Sequence, residues 1–76
     1  MKRFYYEVRA FQKNLRTGER LATKIWDFQT LNRAMSRAED IARDYYIVEV
    51  NSVVIDEDND IIDHELYTYW QNGRPC

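Results

Sequence analysis

TLNRAMSRAEDIARDY, residues 30–45, decides how the rest of this 76-residue chain folds. Leu31, Ala34, Met35, Ala38, Ile41, Ala42 and Tyr45 recur at intervals of three and four, which places them on one face of an α-helix. The interior holds three alanines and neither Gly nor Pro, all favourable to helix. Thr30 is placed as the N-cap, where its hydroxyl accepts an amide proton one turn in, worth ~1 kcal/mol over Ala. The reciprocal acid of a capping box is missing, because Arg33 occupies that position. Arg33, Arg37, Asp40, Arg43 and Asp44 form the outer, solvated face. A single amphipathic helix cannot bury its stripe alone and has to lie on a sheet.

The flanking segments supply that sheet. In residues 3–12 Phe4, Tyr6, Val8 and Ala10 alternate with Tyr5, Glu7, Arg9 and Phe11, the period-two pattern of a half-buried strand. KNLRTGE follows, with Gly18 available for a positive-φ turn position. Residues 20–28 read as the return strand with an ambiguous facing. Leu21 and Ile25 fall on one side and Ala22, Trp26 and Phe28 on the other, a conflict that a β-bulge would resolve. Trp26 and Phe28 are expected to face the helix, because the chain turns onto that face immediately afterwards. YYIVEVNSVVI, apolar on both faces, is expected at the centre of the sheet. After the turn DEDND, residues 61–70 form the last strand. It carries Ile62, His64, Leu66, Thr68 and Trp70 on one side and Ile61, Asp63, Glu65, Tyr67 and Tyr69 on the other.

The expectation is therefore an α+β domain over residues 1–72, ordered β-β-α-β-β, with a four-stranded antiparallel sheet and the helix packed on one face. Residues 73–76 are read as a flexible tail. The opposite sheet face is left uncovered by the only helix.

Composition narrows the class. Cys76 is the single cysteine, no disulfide is available, and MKRFYYEVRAF lacks the apolar run of a signal peptide. No window approaches the ~18 consecutive apolar residues of a membrane span. A cytoplasmic protein with no membrane partner is expected. The net charge of −2 conceals a division. Residues 1–37 hold nine basic and three acidic side chains, and residues 38–76 hold two basic and ten acidic ones. Such asymmetry points to charged partners or head-to-tail association, or to two halves that neutralise each other within one sheet.

No catalytic constellation is present, so no enzyme activity, cofactor or metal is expected. DEDND places Asp56, Asp58 and Asp60 as positions one, three and five of a calcium loop. Position six is Ile61 where glycine is needed, and position twelve is Tyr67 where a bidentate Glu is needed. His64 is the only histidine, too few for a zinc site. Ser36, Ser52 and Cys76 sit in no nucleophile signature, and two widely separated glycines form no phosphate loop.

Surfaces remain. Tyr5, Arg9, Phe11, Tyr67 and Tyr69, with Lys24 from the second strand, are expected on the open face, a mixture rich in the Tyr and Arg of protein hot spots. The same residues could stack bases of a single-stranded nucleic acid, although Glu49, Asp63 and Glu65, expected on that face, would repel phosphate. A homodimer joined through the open face uses the same set. Asp56, Asp58 and Asp60, with Glu57, Asp63 and Glu65, crowd one hairpin into an acidic ridge able to occupy a basic nucleic-acid channel on another protein. Arg33 and Arg37 on the helix offer a secondary contact.

The order FYYEVRAF, RTGERLATKIWDF, the Ala-rich helix and YYIVEVNSVVI resembles small phage and mobile-element proteins, among them anti-CRISPR proteins and a phage-encoded inhibitor of bacterial RNA polymerase. The resemblance covers residues 4–70 in pattern and carries no diagnostic motif. It implies a non-enzymatic protein that binds a host protein or ribonucleoprotein complex and blocks it, and it transfers no functional residue.

Overall fold

A computed structural model describes residues 3–76, with 22 and 23 described by backbone alone. The elements are β1 (Arg3–Lys13), β2 (Arg20–Phe28), α1 (Leu31–Ile41), β3 (Ile47–Ile55), β4 (Ile61–Gln71) and β5 (Arg74–Pro75). The described strands form one antiparallel sheet in the order β2-β1-β3-β4-β5. The fold is thus α+β with one helix on an antiparallel sheet, and the expected four strands are corrected to five among the described residues.

Because β2 and β3 both run antiparallel to β1, the chain must travel back along the sheet between them. The helix makes that return, and its 11 residues span ~16 Å. It crosses β1, which explains why Val8 and Ala10 are fully buried. Ala34, Ala38 and Ala42, one turn apart, form its buried ridge, and small side chains let the helix axis approach the sheet closely. Val48, Val50 and Trp70 complete the core, with Tyr6, Trp26, Phe28, Leu31, Met35, Ile41 and Tyr45 packed around it. The expected stripe is therefore the buried one, and Trp26 and Phe28 face the helix. The facing of Ala22 lies outside the described residues.

The helix begins where expected, with Thr30 Oγ1 accepting from Arg33 N at 3.3 Å. It ends earlier than the pattern, at Ile41, where Asp44 N turns back onto the Ile41 carbonyl. Tyr45 still reaches the core from the turn beyond. The strand over residues 47–55 lies third of five, flanked by β1 and β4.

Three irregularities set the faces. In the first hairpin the register passes from Ala10 opposite Lys24 to Phe11 opposite Ala22, so β2 carries one extra residue there. This is the bulge the alternation required, and it splits Leu21 and Ile25 onto opposite faces. In β4 the register skips Tyr67 and again Ile62. Each extra residue reverses the facing of what lies beyond it. Thr68 and Trp70 point to the helix side, whereas Leu66 and His64, expected beside them, point to the open side. Asp63 and Glu65 move from the open face to the helix side, opposite Val54 and Ser52.

The fifth strand comes from Asn72 and Gly73, both at positive φ (55° and 79°). Two consecutive positive-φ residues are the signature of a tight hairpin turn. They fold QNGRPC back so that Pro75 pairs with Trp70 and Arg74 with Gln71. Among the described residues no helix is long and apolar enough to cross a membrane.

Candidate partner-binding surface

The face opposite the helix is built by the outward positions of four strands: Tyr5, Glu7, Arg9 and Phe11 of β1, Ile25 and Asp27 of β2, Glu49, Asn51 and Val53 of β3, and His64, Leu66 and Tyr69 of β4. No layer of the described residues covers it, yet its centre is buried. Val53 is fully inaccessible, Asn51 is 2% exposed and Glu7 6%. Glu7 and Asn51 lie directly opposite one another, so the middle of the bare face is polar.

Glu7 is held by two partners. Arg9 donates its Nε to Glu7 Oε1 from two residues along the same strand. His64 Nε2, from β4, lies 3.2 Å from the same oxygen. The single histidine, too few for a zinc site, is thus a hydrogen-bonding partner of a buried carboxylate. The Glu7 hydrogen bond raises the Arg9 pKa above its ordinary value, against the opposing effect of desolvation. Burial, with Asp27 and Glu7 nearby, raises the Tyr5 phenol, and Arg9 partly offsets this. Among the described residues Asn51 Nδ2 has no hydrogen-bond partner.

A second ion pair lies toward the β1–β2 turn. Arg20 Nη1 donates to Glu49 Oε2 at 2.7 Å, and its guanidinium stacks 4.7 Å from the Phe11 ring centre. Beside it Arg20, Ile47, Glu49, Leu66, Tyr69 and Gln71 line a depression of about 360 Å³. Gln71 donates to the Tyr46 hydroxyl at 3.3 Å on its rim. The space is enough for one large side chain of a partner.

The residues expected to contact a partner do not form one surface. Tyr5, Arg9 and Tyr69 share the open face. Phe11 points there too but is buried at 7% exposure beneath Arg20, so it supports the face and does not present itself. Lys24 is corrected to the helix side: it lies opposite Ala10, in unbroken alternation with Trp26 and Phe28, on their side of the bulge. Tyr67 is the extra residue of a β4 bulge, exposed at the sheet margin. Arg33 and Arg37 line a shallow groove on the outer helix face with Asn32, Ser36 and Asp40, on the other side of the molecule.

Asp56, Asp58 and Asp60 gather at the β3–β4 turn with ligand atoms within 4.8 Å of one another. Local geometry accounts for this. Asp56 Oδ1 accepts from the amides of Asp58 (2.9 Å) and Asp60 (3.0 Å), and Asn59 takes positive φ. Asp56 thereby staples the hairpin tip, while Asp58 and Asp60 are exposed.

Sequence reasoning missed Asn51, Leu66 and Ile25 as members of the open face. Alternation alone carried the signal for Asn51 and Ile25, but Leu66 was hidden by the bulge at Tyr67. Comparison with protein-family models, with curated proteins and with solved structures returns no match for this chain.

Proposed function

We propose that this chain is a non-catalytic protein-binding module acting in the cytoplasm through its open sheet face. One observation carries the reading: the arginines of that face are already held in place, Arg9 by Glu7 and Arg20 by Glu49 and Phe11, while Ile25 and Leu66 beside them are each 52% exposed. Ordered arginines, half-exposed tyrosines and apolar side chains around a side-chain-sized depression are the ingredients of a protein hot spot, and prior ordering lowers the entropy lost on binding. Nucleic acid is less well suited. Phosphate affinity rests on cations that exchange small counterions for phosphate, and here the two arginines already neutralise carboxylates.

The acidic hairpin favours a partner with a basic groove, such as a host nucleic-acid-handling complex that a phage or mobile-element protein would block. Asp56, Asp58 and Asp60 stand on a stapled turn, continued by Asp63 and Glu65 along β4. Such a ridge steers toward positive channels.

Affinity capture of the tagged chain from bacterial lysate, with variants, tests the reading. A protein partner recovered by the parent chain and by Arg37→Ala, but lost with Leu66→Asp or Tyr69→Ala, is the expected result. Recovery unchanged by the open-face variants, or tight oligonucleotide binding with no protein recovered, overturns it.

A further inference from the structure

We propose that copies of this chain associate head to tail, the β2 edge of one copy adding to the β4 edge of the next. The contact uses the borders of the sheet; it shares Ile25 and Leu66 with the open face but rests on Lys24 and Glu65, which lie on the helix side and take no part in the open-face reading. β2 and β4 bound the main sheet. β5 pairs only with Trp70 and Gln71, and Cys76 N reaches the Tyr69 carbonyl, so residues 61–68 keep an outer backbone edge without a strand partner among the described residues. Large exposed apolar side chains concentrate on these borders, with Ile25 on β2 and Ile61, Ile62, Leu66 and Tyr67 on β4, all about half exposed.

Exposed edges normally carry charges that discourage pairing. Both edges here carry them, but with opposite sign. Arg20 and Lys24 lie on β2, whose one acid is Asp27, whereas β4 bears Asp63 and Glu65 and no Lys or Arg. Two β4 edges brought together oppose their acids, and two β2 edges oppose their lysines, so a twofold dimer through either edge is disfavoured. The same charges attract when β2 meets β4. The division of charge between the halves of the sequence thus becomes a division between the two borders of one sheet.

Facing agrees. Lys24 lies on the helix side, opposite Ala10, and Asp63 and Glu65 lie on that side too, opposite Val54 and Ser52. Ile25 lies on the open side, as do His64 and Leu66. Strand β4 runs antiparallel to β2. A second copy in the same orientation, slid along the edge to clear β5, sets Lys24 across from Glu65, and Ile25 across from His64 and beside Leu66. No side chain changes face. Because the two edges differ, the contact repeats and gives open chains of copies, not a closed dimer.

Sedimentation equilibrium of the full chain, up to millimolar concentration, tests this. The average mass is expected to rise past that of a dimer and to fall as salt goes from about 50 mM to about 500 mM, where screening shortens to a few ångströms. K24E and E65K are each expected to weaken association at least about tenfold, and the chain carrying both swaps to recover it. Far-UV circular dichroism checks that each variant is folded; if a reversal unfolds the chain, Lys24→Gln and Glu65→Gln carry the same test of weakening. A monomer at millimolar concentration, a mass that stops at the dimer, or a double swap as weak as the single ones overturns the proposal.

Discussion

Arg9 Nε and Glu7 Oε1 are hydrogen bonded along one strand, on the face that the helix leaves bare. His64 reaches the same oxygen from β4 across the intervening strand β3. A carboxylate buried at 6% exposure is costly unless paired. These two partners explain how Glu7 is accommodated, and the pairing in turn aims Arg9.

Arg9→Met is expected to destabilise the domain by ~1–2 kcal/mol, the lower part of the range for charge-assisted bonds because Arg9 is itself one-third exposed. In a Glu7→Gln background the same change should cost clearly less. Urea denaturation of the four chains measures the coupling, and equal costs in both backgrounds would mean that the pair contributes nothing.

Asn51 is buried, and its Nδ2 is unpartnered among the described residues. Removing an unsatisfied buried donor recovers part of its ~1–3 kcal/mol desolvation penalty, and valine suits a central strand. Asn51→Val should therefore raise the urea midpoint. A fall would show that the amide is engaged after all.

The alanine ridge sets the distance between helix and sheet. Ala38 is fully buried, so Ala38→Leu should cost ~1–3 kcal/mol through overpacking, and Ala38→Gly about 1 kcal/mol through helix propensity. Thermal unfolding followed by circular dichroism distinguishes these from a tolerant site, where leucine would be neutral.

Tyr5 provides a pH signature. Its folded pKa lies above the ordinary 10.0, chiefly through burial. The native state then holds the phenolic proton more tightly than the unfolded chain does. The associated stability is complete below the unfolded pKa and is lost as pH rises through the folded value. Stability should fall across that window, and Tyr5→Phe should flatten the fall while leaving neutral pH little changed. Identical alkaline profiles for the two chains would remove Tyr5 from the account.

Local periodicity made much of the fold legible. The three-and-four spacing from Leu31 to Tyr45 marks the buried helical stripe, and alternation in residues 3–12 assigns Tyr6, Val8 and Ala10 to the core. The candidate surface was legible only in part. Tyr5, Arg9 and Tyr69 fall on the open face as alternation predicts, but Lys24, Asp63 and Glu65 lie on the other side and Leu66 takes a place that was not assigned to it.

For Asp63, Glu65 and Leu66 the difference has one physical origin, whereas Lys24 simply alternates with Trp26 and Phe28. Strand facing has period two, so a single inserted residue reverses everything beyond it, and whether a bulge forms depends on the partner strand. The amino-acid sequence by itself determined the helix, its inward face, the antiparallel α+β class and the division of charge. Only tertiary pairing decided the bulges, the short β5 closed by Asn72 and Gly73, and the burial of Glu7 and Asn51. Helix and strand periods are written within each segment. Register and depth arise between segments distant in the chain, where no local pattern records them.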